Sequence, residues 1–221
     1  RRMKNAIIPT VVPGSFGDIA RAAEAYRSFT DIIHVDVTDG VFAPNKTWVP
    51  KAGDRLPTGM RYEAHLMVTD PHEVGLLFAQ AGAESVIGHA EAFEGAGNAQ
   101  KAFDAWRAAG TTIVQTAAVL KTPLEVLAPY IPLSDYILLM TIASIGVQGI
   151  PFEEAGIERV KELKTTHPEA RIAVDGGVSE KNIERLERAG ATRFCVGSAI
   201  SKATDPEAAY QHLISTVNAL S

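Results

Sequence analysis

Short apolar runs alternate with longer amphipathic stretches along the chain. Ala6 to Val12 is the first run, and after Pro13-Gly14 a stretch from about Phe16 to Phe29 places Ala20, Ala23 and Tyr26 on one side. Compact runs of β-branched and apolar residues read as strands, whereas apolar positions three or four apart read as a helix face. Further strands are predicted at Ile32 to Val37, Arg61 to Met67, Glu84 to Gly88, Thr111 to Ala117, Asp135 to Met140, Arg171 to Asp175 and Thr192 to Val196. Ile137-Leu-Leu-Met is apolar throughout, as a parallel strand covered on both faces should be.

Helices are predicted between most of these strands. One opens at Asp70-Pro71, a favourable N-cap and first-turn pair, and closes at Gly82. Others span Asn98 to Ala109, Pro123 to Tyr130 (short), Phe152 to His167, Ser179 to Ala189 and Asp205 to Leu220. Only a weak element around Val49 to Leu56 follows the second strand. Eight strand-then-helix units imply an α/β fold with a parallel sheet, and eight close into a (β/α)8 TIM barrel, whereas five or six would suit an open doubly wound sheet. No linker or low-complexity tract divides the chain, so residues 1–221 read as one barrel domain.

Composition changes this picture little. With 221 residues, 46% of them hydrophobic, the chain can bury one large core, although it is shorter than the usual barrel enzyme of about 250 residues. A net charge of −5 argues against nucleic acid or an anionic membrane as a partner. Cys195 stands alone, which precludes an internal disulfide and suits a reducing, cytoplasmic setting. No apolar run approaches the roughly 20 residues of a membrane span, and the first residues lack a signal-like apolar segment.

The candidate chemistry gathers at strand ends. In Asp31-Ile-Ile-His-Val-Asp-Val-Thr-Asp-Gly40, alternation turns Ile33, Val35 and Val37 one way and His34 with Asp36 the other. Two further strands end with His65 and Asp175. Barrel active sites lie at the carboxyl ends of the strands. Four such residues at the ends of three strands look like one site for a divalent ion, and the donor set suits Zn, Fe(II), Mn or Co equally. Asp175-Gly-Gly-Val178 and Val196-Gly-Ser-Ala-Ile200 close the last two strands, where barrels often bind a phosphate through backbone N–H groups.

The segments HVDVTDGVFAPN, HLMV, GHAEAF, TPLEVLAPYI, VDGGV and VGSAI, in this order from about Ile8 to Ile200, resemble the ribulose-phosphate 3-epimerase family. The resemblance implies a barrel of the ribulose-phosphate-binding type and a phosphorylated ketose substrate. It also implies one divalent metal held by the residues matching His34, Asp36, His65 and Asp175. Asp36 and Asp175 would also be the acid and base on opposite faces of C3, with the metal stabilising the ene-diolate formed between the two proton transfers. By the same match, Thr10, His65, Met67, Met140, Gly146 and Gly149 would surround the sugar, and Gly176, Gly177, Gly197 and Ser198 would cradle its phosphate. A homo-oligomer is also possible, since similar barrels are commonly dimers or larger.

Departures from the family pattern fall around the substrate. Thr38 stands where a third methionine is usual, and Ile142-Ala-Ser-Ile-Gly-Val-Gln-Gly149 replaces the usual Glu-Pro-containing flap. Val119-Leu-Lys-Thr-Pro123 replaces a segment with Asn-Pro, and Lys46 and Trp48 enlarge the loop after the second strand. These differences leave open a tetrulose or hexulose phosphate as substrate, or a barrel that binds a phosphosugar without turning it over. A related decarboxylase is disfavoured, because its Asp-x-Lys pattern would need lysine where Thr38 stands.

Overall fold

Eight parallel strands pair in sequence order, and the eighth returns to the first to close a barrel. The computed structural model describes residues 5–219. Its strands are β1 (Ala6–Val11), β2 (Ile32–Thr38), β3 (Arg61–Met67), β4 (Ser85–His89), β5 (Ile113–Ala118), β6 (Tyr136–Met140), β7 (Ile172–Asp175) and β8 (Ala191–Val196). Its helices are α1 (Phe16–Tyr26), α2 (Pro71–Ala81), α3 (Ala90–Phe93), α4 (Ala96–Ala108), α5 (Ala155–Thr166), α6 (Ile183–Ala189), α7 (Ser198–Ser201) and α8 (Pro206–Ala219). No helix among the described residues is long and apolar enough to cross a membrane.

Strand alternation divides the core in two. Ile33, Val35 and Val37, with Tyr62, Ala64 and Leu66, join the helices in the large outer cluster. Ile87, Ala117, Leu138, Met140, Ala173 and Cys195 form a smaller cluster of their own, the apolar part of the barrel interior. His34 and Asp36 have the opposite parity to the outer set, so the strand that packs the helices also delivers both polar groups inward. Register matches neighbouring residues: Thr10 with His34, Asp36 with His65, and Met140 with Asp175.

The expected fold holds, and most strand limits fall within a residue or two of expectation. Several helices are shorter than predicted, for local reasons. The first ends at Tyr26 rather than Phe29, because the Tyr26 carbonyl accepts from both Phe29 and Thr30 in a turn. Pro123 to Tyr130 is no α-helix: 3-10 turns occupy Leu124–Leu127 and Ile131–Leu133, where Pro132 lacks a backbone donor. Helix α5 begins at Ala155 rather than Phe152, because Phe152 pairs as a β-bridge with Ile142. Ser179 to Asn182 turns instead of coiling, with the Ser179 amide donating to Asn182 Oδ1. Residues 49–56 form neither helix nor strand, although the Leu56 amide anchors them by donating to the Ala81 carbonyl. Helix α4 starts two residues before Asn98, the one-turn helices α3 and α7 have no counterpart in the apolar pattern, and Leu220 lies outside the described residues.

Candidate active site

His34, Asp36, His65 and Asp175 meet at the upper end of the barrel, with one donor atom from each lying within 4.8 Å of all the others. Asp36 Oδ1 is 3.2 Å from His34 Nε2 and 3.1 Å from His65 Nδ1. Asp175 Oδ2 is 3.4 Å from His65 Nδ1 and 3.9 Å from His34 Nε2. Both histidines are fully buried, whereas the two carboxylates reach the pocket above.

The protons on these rings follow from their outer partners. Glu91 Oε2 lies 3.1 Å from His89 Nδ1 and can only accept, so His89 donates there. Burial lowers the His89 pKa and keeps the ring neutral, so its Nε2 accepts from His65 Nε2 at 2.9 Å. That leaves His65 Nδ1 bare toward two carboxylates. Glu63 Oε1 does the same for His34, accepting from Nδ1 at 2.7 Å, and His34 Nε2 has no hydrogen-bond partner among the described residues. Two bare nitrogens and two carboxylates around one point need a cation. Without a metal a proton serves: although burial opposes it, the Cys195 sulfur with Asp36 and Glu63 raises the pKa of His34, and Asp175 with Asp36 raises that of His65. The donor set thus fits a divalent ion.

Glu91 makes its own pH-dependent contribution. Burial opposes its ionisation, but hydrogen bonds from His89 and from Thr122 Oγ1 hold its pKa at about 2. A carboxyl depressed from about 4.3 when unfolded adds stability above that pH and loses it as pH falls toward the folded value. Glu91→Gln should therefore lower stability by about 1–2 kcal/mol at pH 6, allowing for solvent at its exposed edge. Urea unfolding at several pH values should show the gap closing between about pH 4.5 and 2.

The pocket over the carboxylates is lined by Thr10, Met67 and Met140, by the loop 146–150, and by Gly176, Gly177, Gly197 and Ser198. Every residue predicted to contact the sugar or phosphate lies on its wall except His65, which is buried beneath. Gln148, unremarked in the sequence, reaches across the pocket, and its Nε2 donates to Thr10 Oγ1 at 3.0 Å. Thr38 does not face the pocket. Its methyl would lie 3.1 Å from a Cβ placed on Gly146, so it packs beneath the loop's turn. Trp48 also turns away, meeting Phe16 edge-on at 5.6 Å among the helices.

Sequence reasoning missed Glu63, His89, Glu91, Gln115, Gln148, Arg193 and Cys195. Glu63 carried a usable signal, since it sits two before His65 and therefore on the same face of β3.

Comparison with known proteins places the chain in a family. Residues 6–201 match the family model described as "Ribulose-phosphate 3 epimerase family". A ribulose-phosphate 3-epimerase of Aquifex aeolicus is 32% identical, the alignment covering 91% of this chain and 92% of that one. Its counterpart in Schizosaccharomyces pombe is 30% identical over 91% of this chain and 89% of the relative. Among solved structures, KGPDC from Streptococcus mutans aligns over 99% of each chain with a TM-score of 0.75 at 14% identity. A 3-hexulose-6-phosphate synthase from Salmonella typhimurium reaches a TM-score of 0.72 at 18% identity, covering 98% of this chain and 99% of that one. At such identities these two speak for the fold alone. The chain belongs to the ribulose-phosphate 3-epimerase family, isomerases that act on carbohydrates.

Proposed function

We propose that this protein inverts C3 of a ketopentose phosphate, interconverting D-ribulose 5-phosphate and D-xylulose 5-phosphate by two-base proton transfer. One observation carries the reading: Asp36 and Asp175, on strands far apart in sequence, converge on the same two imidazoles at the floor of a pocket rimmed by glycine turns.

Asp36 and Asp175 are the two proton carriers, one on each face of C3. The inversion needs them in opposite protonation states at the start of a turnover. Although burial opposes ionisation, the positive charge shared with His34 and His65, whether proton or metal, holds the Asp36 carboxyl well below the usual range, so it starts as a base. A divalent ion (Zn, Fe(II), Mn or Co) held by His34, Asp36, His65 and Asp175 would act as a Lewis acid, stabilising negative charge on the substrate oxygens. Met67 and Met140 form an apolar wall that limits water at the reacting carbon. Backbone groups of Gly176, Gly177, Gly197 and Ser198 receive the phosphate. The Thr10 hydroxyl and the turns at Gly146 and Gly149 contact the sugar.

Solvent deuterium incorporation at C3, followed by NMR with Zn, Mn or Fe(II) supplied, tests this directly. Rapid exchange with both pentulose phosphates is the expected result. Gln148 favours a second reading, because it occupies pocket space and engages Thr10. Under that reading, exchange is confined to a four- or six-carbon ketose phosphate. No exchange with any ketose phosphate at saturating metal would sink both and leave a binding protein.

A further inference from the structure

Beneath the four site residues, a polar cluster fills part of the barrel where apolar side chains would suffice. Glu63 is fully buried at its centre. Its Oε1 accepts from His34 Nδ1 at 2.7 Å, and its Oε2 accepts from Arg193 Nη2 and Gln115 Nε2, both at 2.6 Å. Gln115 Nε2 also donates to Ser85 Oγ at 2.8 Å. The Arg193 guanidinium lies 4.8 Å over the Tyr136 ring. Cys195 Sγ sits 3.3 Å from His34 Nδ1 and donates to Glu63 Oε1 at 3.8 Å.

Stability alone does not account for this arrangement. The desolvation cost of a buried ion pair roughly cancels its attraction, and apolar replacements of equal volume are often neutral or better. Nor is the trio of His34, Glu63 and Cys195 a second metal site, although its donor atoms lie close enough to suggest one. Arg193 and Gln115 already occupy one Glu63 oxygen, His34 occupies the other, and burial pushes the Cys195 thiol up to about 12.

The cluster's geometry has one outlet, the His34 ring. A carboxylate behind an imidazole fixes its tautomer, aims the opposite nitrogen and strengthens it as a donor. Arg193 and Gln115 keep that carboxylate ionised and fixed in place. We propose that Glu63 and Arg193 are positioning residues that preset His34 with its proton on Nδ1 and Nε2 open, and so set the metal affinity of the site from below. This rests on the reading that His34 holds a metal ion.

The test uses the full chain stripped of metal. Zn(II) is titrated against a chromophoric chelator, Co(II) absorption reports ligand geometry, and melting is followed without metal. Glu63→Gln should weaken Zn(II) binding about 10- to 100-fold, and should also lower the melting temperature, because Arg193 loses its counter-charge. The double variant Glu63→Leu with Arg193→Met removes both charges. It should melt close to the wild type while keeping the affinity loss and an altered Co(II) spectrum, a combination that a purely structural pair would not give. In the Zn(II)-loaded wild type, 15N NMR should show His34 protonated at Nδ1, a measurement independent of either variant's folding.

The opposite tautomer, or a double variant that binds Zn(II) within about threefold of wild type, would overturn the inference. A wild-type chain that binds neither Zn(II) nor Co(II) would instead overturn the metal reading on which the inference rests.

Discussion

At saturating metal, Asp175→Asn should abolish epimerisation, with turnover falling by at least about 10³-fold, since a positioned acid or base contributes 10²–10⁴ and Asp175 would, on the proposed reading, also hold the metal. The pattern of residual exchange is more telling than the loss. If Asp36 and Asp175 serve opposite faces of C3, each variant keeps the base for one epimer only. Asp175→Asn should still exchange the C3 proton of one pentulose phosphate with solvent while making no product, and Asp36→Asn should do so with the other. NMR of both epimers in deuterated buffer reads this out. Equal loss for both epimers in both variants would mean that the residues only hold metal. Melting should change little, because each variant removes a negative charge from a crowded centre.

The second large effect is expected at Gly177. Its φ is +66°, and a Cβ there would lie 2.8 Å from the Phe152 backbone nitrogen and 2.9 Å from its Cα. No flexible side-chain end can yield, so Gly177→Ala must displace the strand-like bridge between Ile142 and Phe152 that anchors the loop over the pocket. Overpacking of this kind costs about 1–3 kcal/mol, and left-handed backbone adds about 1–2 kcal/mol for a residue with Cβ. At about 2–4 °C per kcal/mol for a chain of this size, the melting temperature should fall by roughly 4–20 °C. KM for the sugar phosphate should rise at least tenfold, because the same turn would receive the phosphate. Gly59→Ala is the control, since φ is +86° there but nothing lies within 4 Å of the added carbon. It should cost strain alone and leave KM unchanged.

The barrel and the four converging residues were legible because each depends on local alternation. A period of two along β2 fixes which side chains face inward, and eight repeats of strand and helix leave few ways to close. Helix limits were harder to read, since turns at Tyr26, Ser179 and Pro132 override the apolar pattern just where it predicts continuation. The support beneath the site was not legible for another reason. Glu63, Gln115 and Arg193 each look like a polar interruption of a strand, and only barrel closure brings β3, β5 and β8 within hydrogen-bonding reach. Gln148 was hidden in the same way. Its contact with Thr10 spans 138 residues, and nothing in the local flap sequence foretells it.

The pairing of β1 with β8 makes the last strand of the sheet the one that closes it. Glu63 emerges early, but Arg193 follows 130 residues later, and Asp175 also arrives after most of the sheet. Until β8 is made, an unfinished barrel has two open edges and a carboxylate facing its interior without its counter-charge. The strand that closes the barrel is thus also the one that neutralises its buried carboxylate, so closing the sheet and completing the ion pair are a single event.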